Sequence, residues 1–367
     1  MKEFVACFET LEDPRTGNAD RHNLLETIMI ALCAVLCGCQ TAVDMAEFGV
    51  AKEEFLRRFL KLENGTPSHD TFSRIFRLLD PEQFQACFIA FMTKFAGICQ
   101  GVIAIDGKTL RHSFDTASGK SPLHMVSAWG HEQRLVLAQV AVDEKSNEIK
   151  AVPKLLELLS LKGTIVTVDA LNCQRDIARQ VIEQGGDYAL ALKGNQGTLH
   201  DDVSLFLDDP ENNCIEHSTT DGDHGRIEIR TSMVSTNIDW LQKDHNWPGL
   251  EAIGKVTRVR EATVKGTSKT TTETAYYLLS TPLSSERFGQ VVRAHWGIEN
   301  NLHWMLDVVL NEDQNRTRMD NGPENFAVLR HMALNIIRKE TSKGSMRVKF
   351  KRAGWNNDFL ATLLAQI

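Results

Sequence analysis

The sequence predicts an α/β fold: a mixed sheet with flanking helices follows an all-helical N-terminal domain and is interrupted by a β-rich insertion. The first hundred residues carry apolar positions at helical spacing. From Gly101 the pattern becomes that of short strands alternating with helices. A later segment rich in Thr, Glu and Val then precedes a return to helical spacing. These changes place the domains at 1–95 and 96–367, with the insertion at 205–282.

The composition is that of an ordinary globular protein. Of 367 residues, 42% are hydrophobic and 24% are charged, and a chain of this length can bury a large core. The eight cysteines show no metal-ligand spacing. The longest apolar run, at 28–38, is far short of the roughly 20 residues that span a bilayer. No signal peptide is expected, because polar sequence follows Lys2 and Glu3. We therefore expect a soluble, cytoplasmic protein with no membrane partner.

The net charge of −7 argues against nucleic-acid binding through bulk charge, since most such domains are basic. If DNA is the partner, the positive charge must be local. One stretch, at 338–352, carries seven basic residues against Glu340. Within it, Lys349, Lys351 and Arg352 are candidates for contact with DNA phosphates.

The N-terminal domain, 1–95, is predicted to be helical throughout. Apolar stripes indicate helices at 24–36 and 52–62. Ser68 is a credible N-cap for the next helix, which leaves Arg74 and Arg77 outside its buried face, and Pro81 begins another. Two short helices around a tight turn fit a helix-turn-helix DNA reader, and they also fit a plain helical bundle.

The order of elements after residue 96 predicts a ribonuclease H-like sheet. Three strands are followed by a helix, a strand, a helix and a strand, an antiparallel meander continued by parallel strands with crossover helices. The expected strands are 101–108, 123–130, 134–143, 163–170 and 187–192, and the expected helices are 151–160 and 174–184.

The β-rich insertion, 205–282, contains three expected strands at 227–233, 254–264 and 271–279. We interpret it as a unit separate from the first sheet. Helical spacing resumes at 284–310 and again at 323–338.

Two carboxylates end predicted strands that are neighbours in such a sheet. Asp106 ends the strand in GVIAIDGK, and Asp169 ends the strand in TIVTVDA. Both should point into one cleft, where two unpaired carboxylates would repel each other. A divalent cation removes that penalty, and hard oxygen ligands favour Mg²⁺ or Mn²⁺. The pair therefore predicts a metal site.

A third carboxylate is expected from Glu299, in the helical segment around HWGIENNLHW. Two metal ions held by three acids can activate an attacking hydroxyl and stabilise the leaving oxygen in phosphodiester chemistry. Asp307, Glu312 and Asp313 follow closely and are the alternatives for this third ligand.

The chain resembles the insertion-sequence DDE transposases, and within them the H-repeat-associated group of bacterial transposase-like proteins. The segments that carry the resemblance run from Leu11 to Arg316: LEDPR, AIDGKTLR, TVDALNCQ, ALKGNQ, HGRIEIR, HWGIENNLHW and NEDQNR. The resemblance implies a ribonuclease H-like catalytic domain with a β insertion, and Asp106, Asp169 and Glu299 as the acidic triad. In one respect the chain departs from the wider superfamily, whose Tyr, Arg and Lys around the glutamate are here Val292, His295 and Leu306.

Basic residues near these motifs are the further candidates for DNA contact. Arg226 and Arg230 share one strand face with Glu228, and Lys193 lies at a strand end on the expected active-site side. The full set of candidates outside the C-terminal stretch is Lys108, Lys193, His224, Arg226, Arg230, Arg293 and His295.

Two features near Glu299 have competing interpretations. His295, Glu299 and His303 recur every four residues on one helix face, which is a rival transition-metal site, although contact with phosphate or packing is favoured for the histidines. Trp296 and Trp304 are interpreted as core residues more readily than as platforms for a displaced base.

The function predicted is that of a DNA transposase that cuts insertion-sequence ends and joins them to target DNA with Mg²⁺ or Mn²⁺. Its partner is double-stranded DNA, and a homodimer during cutting is one assembly that this allows. Two alternatives stay open: a metal-dependent DNA nuclease without strand transfer, and a DNA-binding relic without catalysis.

Overall fold

The computed structural model describes residues 1–97, 99–115, 119–142, 148–212, 214–223, 226–264 and 267–367. Over these residues no helix is both long and apolar enough to cross a membrane.

The N-terminal region is helical, as predicted. Its helices are α1 (Lys2–Phe8), α2 (Leu24–Leu36), α3 (Ala42–Ala51), α4 (Glu53–Leu56), α5 (His69–Leu78) and α6 (Pro81–Ala96). Side-chain caps fix several of their starts: Asn23 accepts from the Glu26 amide, and Asp80 accepts from the Gln83 amide. Ser68 stands at the N-cap position of α5 but makes no capping hydrogen bond.

The helix expected at 52–62 is much shorter, because α4 ends at Leu56. The Glu26 carboxylate accepts from the amides of Lys61 (2.7 Å) and Leu62 (3.3 Å). These amides are therefore bound by a tertiary partner instead of helical carbonyls, which the apolar spacing of this segment did not predict.

The first part of the sheet has the predicted order and connections. Its elements are β1 (Gly101–Thr109), β2 (His124–Gly130), β3 (Leu135–Val142), α7 (Glu148–Glu157), β4 (Thr164–Val168), α8 (Arg175–Glu183) and β5 (Asp187–Leu192). β1, β2 and β3 pair antiparallel, and β4 pairs parallel to both β1 and β5. The α/β, ribonuclease H-like arrangement predicted from the order of elements is confirmed.

The β-rich insertion is present, but the expectation that it is separate from the first sheet is wrong. Helix α9 (Thr198–Asp208) leads into it, and its elements are β6 (Glu216–Asp223), β7 (Arg226–Ser235), α10 (Asp239–His245), β8 (Ala252–Val264) and β9 (Thr267–Leu279). In the described part of the chain, the strands form one nine-stranded sheet of order β3-β2-β1-β4-β5-β9-β8-β7-β6. The join is β9, whose last residues pair antiparallel with β5 and also with β8. β4 covers one edge of β5, and the end of the β8–β9 hairpin pairs with the other edge. Such a pairing between remote strands is not visible in the local sequence.

Helix α11 (Ser285–Ile298) crosses the sheet over this join and contacts β1, β4, β6 and β7. Phe288 on α11 is fully buried and packs on Gly254 of β8. A Cβ at position 254 would lie 2.6 Å from the Phe288 ring, so the bare backbone leaves the space for that ring. This contact locks the inserted strands to the helix that leads to Glu299.

The chain ends in α12 (Trp304–Val308), α13 (Gly322–Lys339), α14 (Met346–Trp355) and α15 (Asn357–Leu364). α13 is buried along nearly its whole length, as expected of a helix in the centre of a large protein. Its Asn325 donates to the carbonyls of Phe76 and Leu79, while Asn335 bonds both backbone groups of Val136 on β3. α13 therefore joins the N-terminal helices to the sheet in one shared core. A domain boundary at residue 95 stays a prediction.

Replacing Phe288 with Ala should destabilise the protein by about 3–5 kcal/mol, because it empties a fully buried ring site. Urea denaturation followed by circular dichroism measures the change, with Leu205→Ala as the control, since Leu205 is 76% exposed. Equal midpoints for the two variants would show that α11 does not hold the inserted strands.

Candidate metal centre

Asp106 and Asp169 come from neighbouring parallel strands. Ile105 of β1 is in register with Val168 of β4. The residues that directly follow these two are Asp106 and Asp169. Asp106 lies within β1, and Asp169 directly follows β4. The sequence predicted that the two acids are neighbours, but it placed Asp106 at the end of its strand, whereas β1 continues for three more residues to Thr109.

Glu299 approaches the same edge on a helix with an unusual turn. α11 ends at Ile298, and a π-helical turn, Glu299–His303, connects it to α12. The Trp304 amide donates to the Glu299 carbonyl, the i→i+5 bond that defines such a turn. Single π turns within α-helices occur frequently at functional sites.

Asp106, Glu299 and His303 form a compact group of potential metal ligands. Their donor atoms all lie within 4.8 Å of one another. His303 Nδ1 is 3.6 Å from Asp106 Oδ2 and 3.4 Å from Glu299 Oε2. Asp169 stands outside this group. The two carboxylates and one imidazole could hold a divalent metal ion, since both ligand types bind such ions.

The electrostatics of the group fit a cation. Burial raises the pKa of Asp106 to about 7; the nearby His303 opposes this rise, and the charges of Glu299 and Asp169 add to it. At Glu299, the hydrogen bond with His303 lowers the pKa despite partial burial. Asp106 is thus a carboxylate whose ionised form is poorly stabilised by the protein alone, and a positive ion would stabilise it.

His295 is placed differently from His303. Its Nδ1 lies 3.0 Å from Thr167 Oγ1 on β4. Burial lowers the pKa of His295 to about 4, so the ring is neutral at physiological pH. The structure therefore divides the predicted set of His295, Glu299 and His303: two of them join Asp106, and His295 packs on the strand.

A series of mostly buried hydrogen bonds runs from Asp169 through Asn172, Glu148 and His124 to Thr109. Asn172 donates to Asp169 Oδ1 from its amide (3.1 Å) and from Nδ2 (2.9 Å), and the same Nδ2 lies 3.1 Å from Glu148 Oε2. Glu148 Oε1 is 2.6 Å from His124 Nε2, and His124 Nδ1 is 2.8 Å from Thr109 Oγ1. Asn172, Glu148 and His124 are each no more than 2% exposed. Such support fixes the orientation of a ligand carboxylate.

The sequence did not predict this series of hydrogen bonds, because the residues that form it come from β1, β2, α7 and the turn after β4. The one available signal was Asn172, which stands in the segment TVDALNCQ. Gly107 belongs to the same arrangement: a Cβ there would lie 2.3 Å from His124 Nε2 and 2.5 Å from Glu148 Oε1. The glycine between Asp106 and Lys108 is thus required by the buried pair beneath it.

Lys108 was predicted to contact DNA, but the structure places it in an internal charge cluster. Its Nζ lies 2.7 Å from Asp307, 2.9 Å from Asp313 and 3.4 Å from Glu312, and its side chain is only 9% exposed. This corrects two expectations. Lys108 is not a free surface cation, and the three acids considered as alternatives to Glu299 face Lys108 rather than Asp106.

The remaining residues that were predicted to contact DNA differ in their exposure and in whether an acid already pairs with them. Lys193 is exposed and follows β5, so it lies at the same sheet edge as Asp169. Arg226 is exposed, whereas Arg230 pairs with Asp221 and Glu228. Arg293 also reaches Asp221, at 2.7 Å. His224 lies outside the described residues.

The C-terminal basic stretch is not one continuous positive surface. Lys349 is buried, with its Nζ 3.0 Å from Glu340, and Arg352 donates to Ser342 and lies over the Phe359 ring. Lys351 is exposed, with no ion pair to any described residue. Of the three candidates in this stretch, Lys351 alone presents its charge freely to solvent.

Neither tryptophan beside Glu299 is a core residue. Trp296 and Trp304 are each 52% exposed, which corrects the favoured interpretation. Arg258 of β8 lies over the Trp296 ring at 5.6 Å, so the inserted strands and the π turn share one surface.

Comparison with known families gives two matches. Residues 5–92 match the family described as "DDE_Tnp_1-associated", and residues 97–336 match "Transposase DDE domain". The chain is 37% identical over 371 residues to the "H repeat-associated putative transposase YhhI" of Escherichia coli K12, covering all of this chain and 98% of that protein. It is 36% identical over 374 residues to the "Putative transposase YncI" of Escherichia coli O157:H7, covering all of this chain and 95% of that one.

Among solved structures, the chain is similar to that of a piggyBac transposase synaptic complex with hairpin DNA. The TM-score is 0.45 at 11% identity, over 99% of this chain and 77% of the other.

Replacing Gly107 with Ala should destabilise the protein by about 1–3 kcal/mol, because the added methyl forces the His124–Glu148 pair apart. Gly194→Ala is the matched control, since a Cβ at position 194 meets nothing within 4 Å. The free energy of unfolding in urea measures both, and equal losses would show that the His124–Glu148 pair does not need the space at position 107.

Proposed function

This chain belongs to the DDE-domain transposases, in the H-repeat-associated group, and from this premise we propose that it cuts DNA at insertion-sequence ends and joins the cut 3′ ends to target DNA. The observation that carries the proposal is the convergence of Asp106, Glu299 and His303 within 4.8 Å, beside the strand end that bears Asp169. The donor set suits a divalent ion, and the acids come from the segments expected of the family.

In this proposal the acids serve to hold positive charge at one edge of the sheet. A divalent ion held there would supply the charge stabilisation that cleavage of a phosphodiester needs. Asp106 and Glu299 would hold the ion, and Asn172 donates two hydrogen bonds to the Asp169 carboxylate at the end of the neighbouring strand. His303 Nδ1 faces both Asp106 and Glu299, so this nitrogen either donates a proton to a carboxylate or offers its lone pair to the ion.

Double-stranded DNA would approach along this edge. Lys193, Lys351 and Arg226 are the exposed cations among the predicted contacts that have no side-chain partner in the described part of the chain, and Arg226 lies on the inserted strands. Because the net charge is −7, such local charges must outweigh the repulsion between the rest of the surface and the phosphates.

The proposal is tested with the full-length protein, Mn²⁺ or Mg²⁺, and a labelled duplex carrying the DNA sequences that flank its gene. Asp106→Asn and Asp169→Asn should each lower cleavage by roughly a thousandfold or more. Asp176→Asn, a change at an exposed residue of α8, should leave cleavage unchanged. Wild-type activity in Asp106→Asn would overturn the assignment, and nicked products without joined products would indicate a nuclease.

Metal binding can be measured without activity. Mn²⁺ should raise the melting temperature of the wild type, because an ion that binds only the folded state at a hundred times its Kd stabilises by about 2.7 kcal/mol. Asp106→Asn should lose this rise. Without metal, Asp106→Asn should melt at or above the wild-type temperature at pH 8, because it removes a negative charge that burial disfavours.

Asp176→Asn is again the control and should retain the full Mn²⁺ effect. The same Mn²⁺ rise in Asp106→Asn as in the wild type would show that the ion binds elsewhere. His303→Gln separates the two ligand types, since a Zn²⁺ effect should depend on the imidazole more than a Mg²⁺ effect does.

A further inference from the structure

A surface pocket of about 210 Å³ lies where the N-terminal helices meet the segment that follows the π turn. Its walls come from α3, α5, the stretch after α12 and the start of α13. The lining residues are Ala42, Ser73, Arg77, Arg316, Thr317, Arg318, Met319 and Phe326.

The lining contains three arginines and no acid. Arg77 is neutralised by Asp320, at 2.7 Å. Arg318 donates from Nε to the His112 carbonyl and lies over the Phe114 ring, so its guanidinium is positioned but not neutralised by these contacts. Arg316 is exposed and makes no hydrogen bond or ion pair with any residue the structure describes. The pocket thus keeps a local positive charge in a protein of net charge −7.

The pocket is fastened to the strand that carries Asp106. Asp313 binds Lys108, two residues beyond Asp106 on β1. Arg318 binds the carbonyl of His112, three residues after that strand ends. The arginines therefore lie beyond the carboxyl end of β1, in the direction in which that strand runs from Asp106 to Lys108.

The lining chemistry suits a phosphate group. Guanidinium groups present parallel N–H donors that match two phosphate oxygens, and the hydroxyls of Ser73 and Thr317 add neutral donors. We propose that this pocket binds a backbone phosphate of the DNA substrate, so that the N-terminal helices and the catalytic region hold one duplex together. This inference rests on the proposed function, because it takes DNA as the substrate.

Arg316→Gln tests the proposal, since this side chain has no structural partner to lose. Full-length wild type and variant are titrated onto a fluorescein-labelled duplex in EDTA, so that no cutting occurs, and anisotropy is read over a series of KCl concentrations. The variant should bind roughly tenfold more weakly. Its plot of log K against log salt should be shallower by about 0.9, the value for one lost phosphate contact.

Lys162→Gln is the matched control. Lys162 is exposed in the turn before β4, at the opposite edge of the sheet from the acids, and the substitution removes the same charge. It should leave the salt slope unchanged. Arg316→Lys should restore the slope but only part of the affinity, because an ammonium keeps the charge and lacks the paired donors.

The outcomes separate this inference from the proposed function. If Arg316→Gln and Lys162→Gln bind DNA with equal affinity and slope while the wild type binds well, the pocket has no role and the proposed function stands. If the wild type does not bind DNA at low salt, both fail. If inorganic phosphate raises the melting temperature of the wild type but not of Arg316→Gln, while DNA affinity is unaltered, the pocket takes free phosphate and the DNA proposal is overturned.

Discussion

Negative charge gathered at one edge of the sheet is the constraint on which the rest of this structure depends. Asp106 is largely buried, Glu299 is 3.4 Å from the same imidazole that Asp106 approaches at 3.6 Å, and Asp169 follows the adjacent strand. Like charges brought together in a region of low dielectric raise one another's pKa and destabilise the fold. The surrounding elements hold these groups in place despite that cost, and a bound cation would remove it.

Successive side chains of β1 point to opposite faces of the sheet, which separates the Asp106 and Lys108 charges from the buried His124–Glu148 pair. Asp106 and Lys108 point to one face, where the helices after α11 lie, and Gly107 faces the opposite side. On the first face, Lys108 forms ion pairs with Asp307, Glu312 and Asp313. On the second, the absence of a side chain at Gly107 makes room for His124 and Glu148. Asp106, Gly107 and Lys108 thus belong in turn to the group of potential metal ligands, to the buried support of Asp169 and to a separate ion cluster.

The continuous sheet explains how the insertion affects the site. Because β9 pairs with both β5 and β8, the inserted strands are rigidly continuous with the strands that carry the acids. α11 packs on this extended sheet through Phe288, and Glu299 begins the π turn that follows. The position of Glu299 is therefore set by the inserted strands as well as by the strands that carry Asp106 and Asp169, and the exposed Trp296 lies under Arg258 on the shared surface.

The sequence by itself determined the order of strands and helices from β1 to β5 and the neighbouring positions of two of the acids. Apolar strand patterns that lead to an acid located Asp106 and Asp169, and the order of strands and helices made β1 and β4 parallel neighbours. Only the tertiary structure brought His303 close to Asp106 and placed Glu148 and His124 in the hydrogen-bonded support of Asp169. It also placed Lys108 in ion pairs with buried and partly buried acids. It also decided that β9 extends the first sheet. The physical reason is the same in each case: periodicity reports which face of an element is buried, whereas partners from remote segments are chosen by packing and charge that no local pattern records.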